Sequence, residues 1–368
     1  MNDSLIFISA GDPSGDIAAG RLAAVLRGRF SGAAFSGLGG DRLSVLGQEQ
    51  LASGRDLAVL GFWEVARRFR FFQKLMARCV KEIEQRRPKV IVLVDYPGFN
   101  LRLAARIKHL GIPIVYYIAP QVWAWGHKRV HEIKKFVDLL LVILPFEEQF
   151  FSDHGVPAKF IGHYLLEDID PAYIGSPIPK NGKIALLPGS RSQEVQRMLV
   201  PMLDAASRYL KAHGGSAVVA AVRGAYDYEK VCAQYQSAGI EIGYDRSREI
   251  LYDSDLAVVA SGTATLEAGI IGRPMVIVYK TGTITYQIAR RVIKLDKIGL
   301  VNLVLGDQVV PELIQSQASP ESIAGELGRY QADHKHRDQV LRKLQQVPSK
   351  LGGPGASERA ADEIGRYL

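Results

Sequence analysis

A chain of 368 residues exceeds one ordinary core and suffices for two domains of typical size. With 47% hydrophobic and 23% charged residues it has a globular composition, and the lack of any run of about 18 apolar residues excludes a spanning helix. The formal net charge of +8 favours an anionic partner, whether nucleic acid, anionic lipid or a phosphorylated small molecule.

The N-terminus has no basic segment followed by a long apolar run, so no signal peptide is expected. The two cysteines, Cys79 and Cys232, fall in helix-like patterns, which argues against a disulfide framework or a zinc site and suits a reducing compartment. No cluster of histidines has metal-ligand spacing, His163 included.

In chain order the predicted strands are "LIFISA", "AAFSGLG", "VIVLVD", "IPIVYYIA", "LLLVILP" and "AKFIGH", then "KIALLP", "SAVVAAV", "IEIGY", "LAVVAS" and "PMVIVY". They are nearly continuous and β-branched, as parallel strands buried on both faces should be. Helix-period segments between them make the pattern a repeated βαβ. The Pro- and Gly-rich stretch Glu167–Gly182 separates the two series, and "SPESIAGELGRY", "DQVLRKLQQV" and "SERAADEIGRYL" read as closing helices. The expected domains are 1–168 and 169–345, with 346–368 a helix packing back on an N-terminal domain of this chain or of a partner copy. Ligands of such sheets bind at the carboxyl ends of the strands, here in an expected cleft between halves.

The first strand ends in "SAGDPSGD", Ser9–Asp16. Asp12 lies just past the strand, where a carboxylate can act on a hydroxyl, and Asp16 reads as the cap of the helix beginning "IAAGRLAAVL". "GLGGDR", Gly37–Arg42, is not a full dinucleotide fingerprint and reads as a tight turn. On a helical wheel of Gly61–Ile83, Phe62, Val65, Ala66, Phe69, Phe72, Met76, Cys79, Val80 and Ile83 form the core stripe. Opposite them Phe71 and Leu75 stand among Arg67, Arg68, Lys74 and Arg78, a pattern suited to an anionic membrane surface or simply to a solvated face.

In "VDYPGFN", Asp95 follows a strand that Pro97 stops, and Gly98 allows a sharp turn. Asp95 can serve as a general base or as a helix cap, and Asn100 is equally available for capping. "PQVWAWGHKRV" offers two tryptophans, Trp123 and Trp125, with Lys128 and Arg129 as an aromatic and cationic lip, or a helix start packed by Trp.

Two candidate phosphate turns follow. In "LLPGSRSQEV", Gly189 and Ser190 make a turn and Arg191 stands at a helix start, where amides and a guanidinium attract anions; an ordinary cap with a solvated Arg is the alternative. In "VVASGTATLEAG", Ser261, Gly262 and Thr263 connect a strand to a helix, both hydroxyls can donate, and Glu267 one turn on can accept from ribose hydroxyls; plain capping is again the alternative. "DSD", Asp253–Asp255, precedes a strand and reads as a helix end.

Together "SAGDPSGD", "GLGGDRL", "LAVLGFWEV", "VDYPGFN", "YYIAPQVWAW", "LPFEEQFF", "FIGH", "LLPGSRSQEV", "ASGTATLE", "VNLVLG" and "PELIQ" resemble the lipid A disaccharide synthases, a GT-B glycosyltransferase family. The resemblance runs nearly end to end. It implies two Rossmann-like α/β domains with parallel sheets facing a central cleft. It also implies an inverting transfer from UDP-2,3-diacylglucosamine to 2,3-diacylglucosamine 1-phosphate, without metal or other cofactor, in lipid A biosynthesis. The implied setting is peripheral, on the cytoplasmic face of a Gram-negative inner membrane, with lipid-linked sugars as substrates, a C-terminally swapped homodimer and no nucleic acid.

Carried over by position, Asp95 matches the family's essential aspartate, with Asp12 assisting. Gly189, Ser190, Arg191, Ser261, Gly262, Thr263, Glu267, Asn302, Glu312 and Gln315 match the donor side. Ser14, Trp123, Lys128 and Arg129 fall on the acceptor or phosphate side. Asp12 stands where relatives often have Glu, Gly98 where they often have Asp, and Gly126 where they often have Arg; Tyr164 and Val301 replace a Pro and a Leu. Two readings compete: another GT-B family, such as a UDP-N-acetylglucosamine transferase or epimerase, and a non-catalytic nucleotide-sugar sensor.

Overall fold

The computed structural model describes residues 4–53, 69–125, 127–282, 286–287 and 296–368. The chain divides into two compact units, Met1–Tyr164 with Gly352–Leu368, and Leu165–Leu351.

The first unit runs β1 (Ser4–Ala10), α1 (Pro13–Arg29), β2 (Ala33–Gly39), α2 (Asp41–Val45), β3 (Glu49–Ser53), α3 (Phe69–Arg86), β4 (Val90–Val94), α4 (Pro97–Ile107), β5 (Ile114–Tyr117), α5 (Val122–Trp125), α6 (His127–Phe136), β6 (Leu139–Val142), α7 (Glu147–Asp153) and β7 (Ala158–Phe160). Its seven strands are ordered β3-β2-β1-β4-β5-β6-β7, all parallel. Every residue of β4 is buried, as expected of an unbroken β-branched run covered on both faces. Strand order reverses between β1 and β4, which pair with Ala10 opposite Val94. Chain segments leaving those two strand ends diverge and leave the crevice in which such sheets bind ligands.

The second unit runs α8 (Leu165–Asp168), β8 (Lys183–Leu187), α9 (Ser192–His213), β9 (Ser216–Ala221), α10 (Tyr228–Cys232), β10 (Ile240–Tyr244), α11 (Ser247–Tyr252), β11 (Leu256–Ala260), α12 (Thr263–Ile271), β12 (Met275–Tyr279), α13 (Leu300–Leu305), β13 (Glu312–Ile314), α14 (Pro320–Ala332), α15 (His334–Leu344) and α16 (Val347–Lys350). Its strands are ordered β10-β9-β8-β11-β12-β13, again all parallel, with the reversal between β8 and β11. The buried Arg273 is satisfied wholly by oxygens of the linker and α11–α12 turns: its guanidinium donates to the carbonyls of Leu251, Tyr252, Ser176, Ile271 and Pro177 and to the Ser176 hydroxyl.

The last helix, α17 (Ala356–Gly365), belongs to the first unit and packs on α1 of the same chain. Arg29 pairs with Glu358 and Asp362, and the Arg359 Nε donates to the Ile161 carbonyl at 2.7 Å.

Candidate active site

The turns at the two sheet reversals carry the chemistry-bearing residues. After β1, Asp12 caps α1: its Oδ1 accepts from the Gly15 amide at 2.6 Å and from the Ser14 hydroxyl at 3.1 Å. Pro13 at the first helical position fits that start, because its missing N–H would have been an orphan donor there. This corrects the expectation that Asp16 caps this helix. Asp16 lies inside α1, buried, and accepts from the amides of Gly40, Arg42 and Leu43 at the start of α2. Ser14 is exposed beside Asp12.

After β4 the chain makes a left-handed turn through two non-glycine residues, Asp95 (φ 45°) and Tyr96 (φ 49°). Such residues cost on the order of 1–2 kcal/mol each and persist only where surroundings hold them. The Tyr96 ring lies against Gly11, where an added Cβ would sit 2.2 Å from the Tyr96 Cδ1, so the first turn must carry glycine to admit it. Neither Asp95 nor Asn100 caps α4; its N-cap is Tyr96 and makes no side-chain cap bond. Burial raises the Asp95 carboxyl to about 6, the Asp12 charge adds to the rise, and the Tyr96 amide opposes it. A half-buried carboxyl poised there is suited to accept a proton near neutral pH.

Trp123 forms no open lip. It is buried, its indole N–H donates to the Glu147 Oε1 at 2.9 Å, and its ring meets Phe146 edge-on with centroids 4.9 Å apart. The other Glu147 oxygen accepts from the Ile143 and Leu144 amides at 3.2 and 2.9 Å, and burial raises this carboxyl to about 7. The indole thus ties the β5 end to the β6 end as a packing post. Arg129 is half-buried, and its charge is felt at the Tyr116 hydroxyl beside Asp95. The Trp125 and Lys128 side chains lie outside the described residues.

In the second unit Gly189, Ser190, Arg191, Ser261, Gly262, Thr263 and Glu267 all line one cavity of about 330 Å³ between the β8 and β11 ends. Gly189 (φ 111°) and Gly262 (φ 151°) adopt backbone that side chains rarely tolerate, and nothing lies within 4 Å of where a Cβ would stand on Gly262. α12 starts at Thr263 without a side-chain cap, so its first amides are available to an anion. Arg191 stands at the rim, 74% exposed, with its Nη1 donating to the Glu194 Oε1 at 2.9 Å.

Only part of the expected hydroxyl set can donate. The Ser261 hydroxyl already donates to the Ile298 carbonyl at 2.9 Å, whereas Thr263 is exposed. Glu267 is gripped by Arg248, whose Nε donates to the Glu267 Oε1 at 2.9 Å and whose Nη1 donates to the Asp168 carbonyl at 2.7 Å. Ser247 also lines the cavity. Arg248 and Ser247 belong to no recognisable sequence motif, and only the fold brings them in.

Asn302, Glu312 and Gln315 do not line this cavity. Asn302 is fully buried: its Nδ2 donates to the Val310 carbonyl and the Glu312 Oε1, and its Oδ1 accepts from the Val309 and Val310 amides. Glu312 accepts from the Ile298 and Gly299 amides, and Gln315 exchanges two hydrogen bonds with the Thr281 backbone. Their polar atoms brace the backbone around residues 281, 298–299 and 309–310. Asp255 likewise accepts from the Asn181 and Gly182 amides at the opposite end of β11.

The expected membrane patch changes character. Leu75 is 2% exposed and belongs to the core with Met76, Cys79 and Ile83, and Phe71 packs against that core. The apolar arc is wider than expected because Leu75 lies one turn from both Phe72 and Cys79. Lys74 and Arg78 are exposed, in line with Arg70 and Lys81, whereas Arg67 and Arg68 lie outside the described residues. Among the described residues no helix is long and apolar enough to cross a membrane, and no group of three His, Cys, Asp or Glu is arranged to hold a metal ion. Cys79 and Cys232 are free and buried.

Known proteins give this arrangement a context. The chain is similar in fold to the calicheamicin glycosyltransferase CalG4 (TM-score 0.63, 17% identity, covering 100% of this chain and 99% of that one) and to S. aureus MnaA solved with UDP (TM-score 0.69, 12% identity, 99% and 97%). In sequence it is 41% identical over 369 residues to the lipid-A-disaccharide synthase of Anaeromyxobacter dehalogenans strain 2CP-C, covering 98% of this chain and 96% of that protein. It is 38% identical over 372 residues to that of Myxococcus xanthus strain DK1622, covering 99% and 97%. The family model for lipid-A-disaccharide synthetase matches residues 6–359. Two parallel-sheet units of GT-B type, and this near end-to-end match, show that the chain belongs to the lipid-A-disaccharide synthase family of glycosyltransferases.

Proposed function

We propose that the chain carries out its family's reaction with the donor bound in the second unit and Asp95 as the base. The reaction condenses UDP-2,3-diacylglucosamine with 2,3-diacylglucosamine 1-phosphate to a lipid A disaccharide 1-phosphate and UDP. What carries the reading is the gathering of seven predicted residues around the cavity at the β8/β11 reversal. The diphosphate meets the amides at the start of α12, with Arg191 turning from Glu194 towards it. Glu267, oriented by Arg248, accepts from the ribose. The acceptor 6-hydroxyl gives its proton to Asp95 and forms a bond to the anomeric carbon. The bond from that carbon to the diphosphate breaks with inversion, and the electron pair leaves with UDP. Helix amides and Arg191 offset the departing charge, and no step is assigned to a metal ion.

The exposed row Arg70, Lys74, Arg78 and Lys81 supports electrostatic attachment to an anionic membrane, here the cytoplasmic face of the inner membrane, without inserted apolar side chains. A swapped dimer would exchange α17 between copies and keep its contacts with α1. The reaction is tested by UDP release from the purified chain. Release that requires both lipid substrates is expected; UDP-sugar binding without release would favour a sensor and overturn the reading.

A further inference from the structure

The Tyr96 amide meets the Asp95 carboxylate, while side chains hold Asp95 through its peptide carbonyl. Two side chains from different elements converge on that one oxygen. The Tyr116 hydroxyl, from the neighbouring strand β5, donates to it at 2.6 Å, and the Asn100 Nδ2, from α4, donates at 2.8 Å. Both residues are fully buried. With both lone pairs of the carbonyl engaged, the Asp95 peptide is fixed in plane as well as in position.

Asn100 also ties this peptide to the other carboxylate turn. Its Nδ2 lies 3.2 Å from the carbonyls of both Ser9 and Val94, and its Oδ1 accepts from the Ser9 hydroxyl at 2.6 Å. Ser9 is three residues before Asp12 on β1. One buried amide therefore couples the strand ends that lead to Asp12 and Asp95. Burial, with the Asp95 and Asp12 charges, raises the Tyr116 hydroxyl well above its ordinary range, so it remains a donor throughout the working pH range. The charged or titratable groups acting on this locus are Asp12, Asp95 and Arg129.

The left-handed turn is uphill for Asp95 and more so for Tyr96. Without these two donors the buried carbonyl loses its partners, and the peptide has reason to relax to an ordinary strand exit. Such a relaxation would redirect the Asp95 side chain. We propose that Tyr116 and Asn100 are positioning residues that hold the strained Asp95 peptide so that its carboxylate stays aimed at the acceptor hydroxyl. The proposal rests on the reading of Asp95 as the base.

The test uses the full chain and measures UDP release, UDP affinity and thermal melting for Tyr116→Phe, with Asn100→Ser as the second variant. Both are made alone and combined with Asp95→Asn. A loss of kcat of about tenfold to a hundredfold is expected, since a misplacement of about 1 Å can cost that much. KM for the UDP-sugar and UDP affinity should stay as in the parent, because the donor cavity lies in the other unit. In the Asp95→Asn background neither variant should lower the residual rate further, a non-additivity that general loosening of the fold would not give. A folded Tyr116→Phe or Asn100→Ser chain with parental kcat, while Asp95→Ala is inactive, would overturn the positioning role and leave the base intact. Additive losses on Asp95→Asn would overturn it equally. An active Asp95→Ala chain would remove the base reading itself.

Discussion

Asp12 and Asp95 stand beyond the ends of paired strands, and the charge of the first helps hold the carboxyl of the second at about 6. The rate should therefore fall on the acid side of about pH 6, as Asp95 takes up a proton and ceases to be a base. Asn is as good an N-cap as Asp, so Asp12→Asn keeps the start of α1 while removing the charge. Its acid limb should move to lower pH, which a pH profile of kcat/KM reads directly.

The same shift has a cost in stability. The Asp95 pKa rises from 3.8 to about 6 on folding, so the folded chain binds more protons in that window, and stability falls as pH rises through it. Asp95→Asn should melt higher than the parent at pH 8, by up to about 3 kcal/mol, and show no such gain near pH 4. Melting curves at the two pH values check this.

Arg248 grips Glu267 and reaches Asp168, so Arg248→Ala leaves a half-buried carboxylate without its partner. UDP affinity should drop by about 1–3 kcal/mol, read by titration calorimetry, with the fold retained.

Asn302→Ala removes four hydrogen bonds from a fully buried site and takes the Asn302 acceptor from the Val310 amide, whereas the Val309 amide keeps the Asp307 carbonyl at 3.1 Å. A loss of about 2–4 kcal/mol of unfolding free energy is expected in denaturant titrations. UDP affinity at saturating fold should change far less than in Arg248→Ala, because Asn302 does not line the cavity.

Most of the fold was legible from apolar runs, since buried parallel strands are written as such. The two strands missed, β3 ("EQLAS") and β13 ("ELI"), each lie at one edge of a sheet; the strands at the opposite edges, β7 and β10, are legible in "AKFIGH" and "IEIGY". β3 and β13 are short and broken by Glu, Gln and Ser, as an edge position permits, so neither has an unbroken apolar signature. The donor turns were legible because glycine and small residues at a strand end have few other uses. The carboxylates were harder. Asp12 and Asp16 compete for one cap, and the Pro13 that decides between them carries its signal in helix-start geometry. Asn302, Glu312 and Gln315 carry polar groups that suit a nucleotide equally well, and only the fold reveals the backbone amides that occupy them. Arg248 lies 19 residues from Glu267 in sequence, a pairing no local pattern predicts.

The row Arg70, Lys74, Arg78 and Lys81 should bind anionic vesicles, as a phosphatidylglycerol mixture would show in sedimentation, and should release them as salt is raised. Lys74→Glu with Arg78→Glu should weaken that binding without changing UDP affinity. Equal binding to purely zwitterionic vesicles would instead indicate apolar insertion.

Proton removal by Asp95 is tested most directly by the turnover of Asp95→Ala with both lipid substrates, alongside its affinity for UDP. Turnover should fall by about 10²–10⁴-fold, the range supplied by a positioned general base, while UDP binds as tightly as to the parent. Near-parental turnover would contradict the assignment of Asp95 as the base.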